Sequence, residues 1–475
     1  MIYSWANSLI LLSLTHNKDS KMRRKFNSQM HLFDSVSSNQ IAKELRYASQ
    51  VLDANPKLVE LAYQDLTRAK RHDTGREGLT AEQVLRCAVL KQYRELSYEE
   101  LAFHLEDSTA FRSFSRLEMG QYPCKSILQE NIKSLAEETW EAIHREIVNY
   151  AKREKIETGK KVRIDSTAIE TDIHHPTDST LVSDGIRIIT RWLVEGKQLS
   201  PKPSYIFVNH TRVVKKLVLK ILNARKENDR VAAYRTLLHY AGQVVGYALV
   251  AIDELRIFKG DDVRDTVKAR ALADKLERAV GILKKINDQT ERRVLKGEKV
   301  PASEKIVSFF EEHTDIIVKG GRDTQYGHKV FLSGGASKMI LDCLMERGNP
   351  ADSEKYKPIL ERLQEQFDSM PRQVSADGGF ASKDNLSFAK ENNVKDAVFA
   401  RKRGLSVLDM AKSNWVYKAL RNFRAGIEAG ISTLKRAFGL DRCTWSSWEG
   451  FKRYVWSSVV SYNLMVLARI RMAKA

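Results

Sequence analysis

Three acidic residues set far apart in the chain are the strongest candidates for chemistry. Asp165 sits in Lys161-Val162-Arg163-Ile164-Asp165-Ser166-Thr167, an alternating stretch that reads as a strand, with Val162 and Ile164 on one face and Arg163, Asp165 and Thr167 on the other. A carboxylate late in a buried strand is costly unless it is paired or bound to a metal. Two later stretches can supply its company: Val374-Ser375-Ala376-Asp377-Gly378-Gly379 and Arg424-Ala425-Gly426-Ile427-Glu428. Asp165, Asp377 and Glu428 are therefore expected to meet around divalent metal ions, one bridging a pair of ions and the others holding one each. Two hard cations about 4 Å apart prefer carboxylate oxygens, and they can activate a water or hydroxyl while stabilising a leaving oxygen. The chemistry this suits is phosphodiester cleavage. Gly378 and Gly379 would let backbone or nucleic acid approach the site.

A helix is needed to present Glu428. Arg424, Glu428 and Lys435 stand at i, i+4 and i+11, which at 100° per residue puts them within about 40° of one another on one face. Arg421 falls on the same face. Gly426 and Gly430 weaken a helix by about 1 kcal/mol each relative to Ala, a cost that close packing at those positions would explain. The bland alternative is a surface Arg424–Glu428 pair worth a few tenths of a kcal/mol.

The remaining elements follow from local signals. Capping boxes at Thr80/Gln83, Ser97/Glu100 and Ser126/Gln129 predict helix starts in a helical region from Ile41 to about Tyr150. The first two, on a tight connection and followed by Phe111-Arg112-Ser113-Phe114-Ser115-Arg116, read either as a DNA-binding helix-turn-helix or as an ordinary bundle with both Phe residues in its core. His174 and His175 read as polar loop residues. Between Pro203 and Pro301 the spacing of Leu272, Leu276, Val280, Leu283 and Ile286 predicts long amphipathic helices. Beyond Pro301 the pattern alternates: strands at 326–332 and 338–343, a helix over 356–369, a strand at 374–377, a helix capped by Ser382, a strand at 397–400, and terminal helices broken near Gly439. Trp445 and Trp448 read as core packing of those helices in preference to base stacking.

The 79 Lys+Arg against 60 Asp+Glu give a formal charge of +19, which favours a polyanionic partner such as nucleic acid. The four cysteines are far apart with no CxxC pair, against a zinc or disulfide framework and consistent with a reducing cytoplasm. The apolar run Leu9–Leu14 is too short to span a bilayer, and no basic residue precedes it as a signal peptide would require. A second start follows at Met22, so residues 1–21 read as an upstream translation artefact or disordered leader.

This order of strands and helices matches the ribonuclease-H-like fold, in which carboxylates at adjacent strand ends and on a nearby helix converge. The chain resembles bacterial insertion-sequence DDE transposases of the broad group containing the ISNCY type, from about Ile41 onward. Residues 79–148 resemble their helical N-terminal domain. Asp165-Ser166-Thr167, Tyr326-Gly327-His328-Lys329 and Asp377-Gly378-Gly379 resemble their catalytic core. Arg424-x3-Glu428-x6-Lys435 matches the later part of the signature Y-x2-R-x3-E-x6-K, with Arg421 in place of its Tyr.

The resemblance implies an α/β ribonuclease-H-like catalytic domain, residues 151–184 and 311–475, with a large helical insertion at 185–310. An all-α DNA-binding domain precedes it at 22–150. It implies Asp165, Asp377 and Glu428 as a catalytic, metal-binding triad for two Mg2+ (or Mn2+) ions, with Arg424, Lys435 and Arg421 on DNA phosphates. The expected activity is cleavage at transposon ends and strand transfer of the free 3′-hydroxyl into target DNA. The expected partners are double-stranded DNA, both terminal inverted repeats and target, and further copies of the chain in a homodimer or higher oligomer. No membrane is involved, and the setting is a bacterial cytoplasm at the nucleoid. A structure-specific nuclease or resolvase of the same fold, and a non-cleaving transposase-derived DNA-binding protein, are the rival readings.

Overall fold

A computed structural model describes residues 25, 39–68, 78–318 and 324–474; the expected leader, 1–21, lies outside them. Seven helices come first: α1 (Gln40–Asp53), α2 (Pro56–Thr67), α3 (Ala81–Tyr93), α4 (Tyr98–Asp107), α5 (Thr109–Ser115), α6 (Lys125–Ser134) and α7 (Glu137–Arg153). The capping boxes of Thr80 with Gln83 and Ser97 with Glu100 start α3 and α4. The third expected box is not made. Helix α6 starts two residues early, with Cys124 as its cap and Ser126 already inside the first turn.

The helix-turn-helix reading of α3 and α4 also fails on physical grounds. Helix α3 is buried on every face, so it cannot enter a DNA groove, and the exposed surface of α4 carries Glu99, Glu100, Glu106 and Asp107 in place of the basic and polar side chains of a recognition helix. The basic residues that follow point inward. Arg112 donates to the carbonyl oxygens of Leu105, Glu118 and Gln121, and Arg116 pairs with Glu82 and Asp53.

The sheet is built around β1 (Lys161–Thr171), longer than the alternating stretch that predicts it because pairing continues through Glu170. Its other strands are β2 (Asp315–Ile317), β3 (Gln325–Gly334), β4 (Ile340–Met345), β5 (Gln373–Ala376), β6 (Asp396–Phe399) and β7 (Arg442–Cys443). Their order is β2-β3-β1-β5-β6, with β4 also on β3 and β7 also on β1. On one side β1 pairs antiparallel with β3; on the other it runs parallel to β5, which runs parallel to β6.

Between β1 and β2 run α8 (Asp178–Gly196), α9 (Thr211–Asn223), α10 (Glu227–Ile257) and α11 (Val263–Thr290). They close a core of their own, to which α11 contributes Leu272, Leu276, Val280, Leu283 and Ile286, the set its spacing predicts. Residues of α8 from Leu181 onward already belong to this core. The chain then adds α12 (Asp352–Phe367), α13 (Lys383–Glu391), α14 (Val407–Met410), α15 (Asn414–Ala437) and α16 (Trp448–Met472), with Gly439 at φ +71° after α15.

Helix α16 is buried without interruption from Tyr454 to Ala468. It packs against α1, α3 and α7 and reaches β4, where the Asn463 amide both accepts from Ile340 N and donates to Ile340 O. The N-terminal helices and the sheet therefore share one continuous core. Trp445 and Trp448 pack there, Trp448 stacked on Phe451, as core aromatics. No described helix is long and apolar enough to cross a membrane.

Helix α15 lies across β1 and β5. Ser375 Oγ donates to Leu420 O (2.8 Å), and Arg163 Nη1 donates to Phe423 O (3.2 Å) while its guanidinium covers the Phe423 ring. A methyl group at Gly426 would overlap that guanidinium, whereas one at Gly430 would only touch Tyr462 at 3.5 Å. Overpacking costs about 1–3 kcal/mol and Ala in place of a helical Gly gains about 1 kcal/mol. Gly426→Ala should thus lower, and Gly430→Ala raise, the denaturant midpoint of unfolding. Equal shifts in the two variants would contradict this seating of α15.

Candidate functional site

Register brings the first two carboxylates together. Strand β5 pairs with β1 up to Ala376 opposite Ile164, and Asp377 N continues the ladder by donating to Ile164 O (3.3 Å). Asp165 and Asp377 are consequently neighbours on adjacent parallel strands. Asp165 Oδ1 accepts from Ser166 N (2.8 Å). Asp377 begins the short turn Gly378–Phe380, its side chain accepting from Gly379 N. The neighbours of these glycines are protein side chains rather than open space: a methyl group at Gly378 would meet Arg401, and one at Gly379 would meet Asp352.

Helix α15 adds the third acid and a shared cation. Arg424 Nη1 lies 3.1 Å from Asp165 Oδ2 and 3.6 Å from Asp377 Oδ1, and Nη2 lies 2.7 Å from Glu428 Oε1. One guanidinium thus bridges all three candidate carboxylates. The arginine is well covered, at 17% exposure, while Glu428 stands out at 55%. An Arg424–Glu428 pair does exist, as the bland alternative held, but it is one arm of a four-residue cluster.

Lys435 Nζ, two turns further on, donates to Ala168 O (2.8 Å) and pairs with Asp441 (3.2 Å), fastening the end of α15 to β1. Arg421 is exposed and has no ion-pair partner among the described residues. Asp165, Thr167, Glu428, Ser432, Lys435 and Asp441 line an open groove along this face.

The sequence reading did not single out Asp352. Its Oδ1 accepts from Ser166 Oγ (3.1 Å) and lies 3.2 Å from Lys329 Nζ, on β3 opposite Ala168. Asp352 thus braces both the residue after Asp165 and the Gly379 turn. Nothing local marks it; it reads as an ordinary acidic residue in the first turn of a helix. His174 and His175 lie exposed in the loop after β1, His174 near Asp184 (3.4 Å) and His175 against Tyr326.

Three carboxylates supply the hard oxygen donors that Mg2+ and Mn2+ take, and the cluster already accommodates a cationic group between them, so the residue types fit such ions. Among the described residues no three acidic, histidine or cysteine side chains are gathered tightly enough to hold one ion; the guanidinium lies between the three carboxylates that would do so.

Residues 318–464 match the family model for the transposase DDE domain, and residues 32–134 match that for a transposase domain (DUF772). The first match contains Asp377, Glu428 and the α15 cations but not Asp165. No curated protein and no solved structure matches the chain.

Removing the shared cation tests the cluster. Arg424→Met should destabilise the metal-free protein by about 1–2 kcal/mol, less than the loss of a fully buried ion-pair partner because the acids are partly solvated. Mg2+ should then raise its melting temperature more than that of the wild type. Equal Mg2+ responses would mean that the carboxylates do not share one charge environment.

Proposed function

We propose that this chain, which belongs to the insertion-sequence DDE transposases, cuts DNA at the ends of its element and joins the freed 3′-hydroxyl to target DNA in a metal-dependent reaction. The observation that carries this reading is the convergence of Asp165, Asp377 and Glu428 on one guanidinium from two strand ends and a helix. A mixed sheet with a central β1, antiparallel neighbours on one side and parallel ones on the other, supports a ribonuclease-H-like core formed by residues 151–184 and 311–475. In the same reading the expected insertion at 185–310 begins earlier, with α8, whose Leu181 and Val182 already lie in its core, and 22–150 is a DNA-binding domain.

Asp165, Asp377 and Glu428 would hold two Mg2+ or Mn2+ ions. When bound, the ions supply an activated water or 3′-hydroxyl and neutralise the leaving oxygen. The chain's own residues provide position. Asp165 and Asp377 are set by strand pairing, so their separation is not free to drift. Glu428 is carried by a helix locked to β1 at Lys435. Arg424 serves as the counter-ion that keeps the acids in register before ions and DNA arrive. Arg421, and Arg424 and Lys435 once released from their internal partners, contact phosphates. Two ends must be paired, so a homodimer or higher oligomer assembles on DNA, at the nucleoid of a bacterial cytoplasm.

Asp165→Asn and Asp377→Asn should each reduce Mg2+-dependent nicking of element-end duplexes by at least about a hundredfold, beyond the 10–100-fold typical of an outer-shell change, with melting temperatures retained. Near-normal nicking by either variant removes that residue from the triad. Joined products alongside the nicks distinguish a transposase from a nuclease or resolvase, and wild-type protein that binds end duplex but does not nick it with Mg2+ would be a DNA-binding derivative.

A further inference from the structure

Beside the carboxylate groove lies a second cleft, and the two share Lys435 and Asp441 in their walls. It runs between α3, α4 and α6 on one side and the α15–β7 corner with Tyr454 on the other. Some charges along it are paired. Lys125 pairs with Glu99 (3.1 Å), Lys435 with Asp441 (3.2 Å) and Arg442 with Glu170 (2.8 Å). Glu100 and Glu95 accept from the backbone, from Ser97 N and Gly439 N, and make no ion pair among the described residues.

Two cations also lack an ion-pair partner among the described residues. Lys91, on α3, is only 5% exposed yet pairs with no carboxylate among the described residues; its ammonium faces the rings of Tyr98 (4.9 Å) and Tyr454 (6.0 Å). Lys133, on α6, is half-buried over the Trp445 ring (5.8 Å) and likewise has no acidic partner among the described residues. We propose that Lys91 and Lys133 form a phosphate-binding site, filled by the backbone of a DNA strand that continues past Lys435 out of the carboxylate groove.

The argument is one of charge. A buried ammonium costs several kcal/mol unless something compensates it, and contact with aromatic faces returns only about 0.5–2 kcal/mol. Burial, and then repulsion from Lys133, bring Lys91 down to about 8, with Cys443 and the Glu100 carboxylate acting in the opposite direction. Of the groups facing it only the Glu100 carboxylate is an anion, and it makes no ion pair with Lys91; burial pushes the Cys443 thiol up to about 12 and raises the phenols of Tyr98 and Tyr454. Two like charges are therefore held beside one cleft with no carboxylate in ion-pair contact with either among the described residues, and an anion placed between them relieves both. Phosphate is the fitting class: it carries its charge on several acceptor oxygens and can take bonds from two ammonium groups at once. That the phosphate comes from DNA rests on the function proposed above; the site itself does not.

The test uses the full-length chain without divalent metal, titrated with labelled element-end duplex over a range of salt. Lys91→Met and Lys133→Met keep the apolar stem and remove the charge. Each should weaken binding and flatten the salt slope by about one unit. Wild-type binding should also weaken as pH rises through about 8, where Lys91 loses its proton, and this trend should vanish in Lys91→Met. In case Lys91→Met folds poorly, inorganic phosphate is compared with chloride at matched ionic strength. It should raise the melting temperature of the wild type more than that of Lys133→Met. Phosphate stabilisation with unchanged DNA slopes would keep the anion site but assign it to free phosphate. Unchanged slopes, no pH trend and no phosphate effect would overturn the proposal. Asp165→Asn runs beside these variants: if it nicks normally while the lysine variants lose DNA binding, the assigned triad fails and the phosphate site stands.

Discussion

Three carboxylates cannot be crowded together without a cation among them. In this protein the requirement is met internally: Arg424, one turn before Glu428, reaches both strand-end acids as well. The demand for that single side chain explains much of the surrounding architecture. Helix α15 must lie close over β1, which is why Gly426 faces the Arg163 guanidinium. The far end of the helix must be held in step, which Lys435 does by bonding to Ala168 O. The β1–β5 pairing must end where it does, because a slip of one residue would turn Asp377 to the opposite face.

What could be read from the sequence was what is encoded locally. Alternation exposed β1, helical periodicity exposed the Arg424–Glu428–Lys435 face, and side-chain caps exposed the starts of α3, α4 and α13. What escaped depends on contacts between distant residues. Asp352 meets Ser166 across a gap of 186 positions, and no local pattern distinguishes it from any acid at a helix start. The glycines after Asp377 looked like room for a ligand, yet Arg401 and Asp352 occupy that room. The helix-turn-helix reading had the right spacing but ignored the acidic face of α4, which was visible in the letters. Arg424 was expected to face phosphates, and periodicity placed it correctly; that its charge is used internally could be known only once the strands were paired.

The two family matches fall on segments that share one interior. Helix α16, partly within the match at 318–464, is enclosed by α1 and α3 from the match at 32–134 and by α7, which follows that match. His144 of α7 and Asn463 of α16 both bond Ile340 at the edge of the sheet. The N-terminal helices therefore act as part of the sheet's support, and a change in their packing reaches β4, and through it β3 and β1, without any hinge. The cleft holding Lys91 and Lys133 opens along this joint, so whatever occupies it touches both halves of a common core.

The helices between β1 and β2 stand in a different relation to that core. Their interior is closed on itself, and the chain leaves and re-enters the sheet at neighbouring points, where the hydroxyls of Thr171 and Thr314 are hydrogen bonded at 2.9 Å. The penalty for joining two points depends on how far apart they are and only slowly on the length of the tether. A segment whose ends already touch can thus be lengthened, shortened or exchanged for a tight turn with little strain on the sheet. This gives the protein a natural grafting point: a foreign module with adjacent termini could be spliced between Thr171 and Thr314, adding a new recognition surface while the acids stay in place.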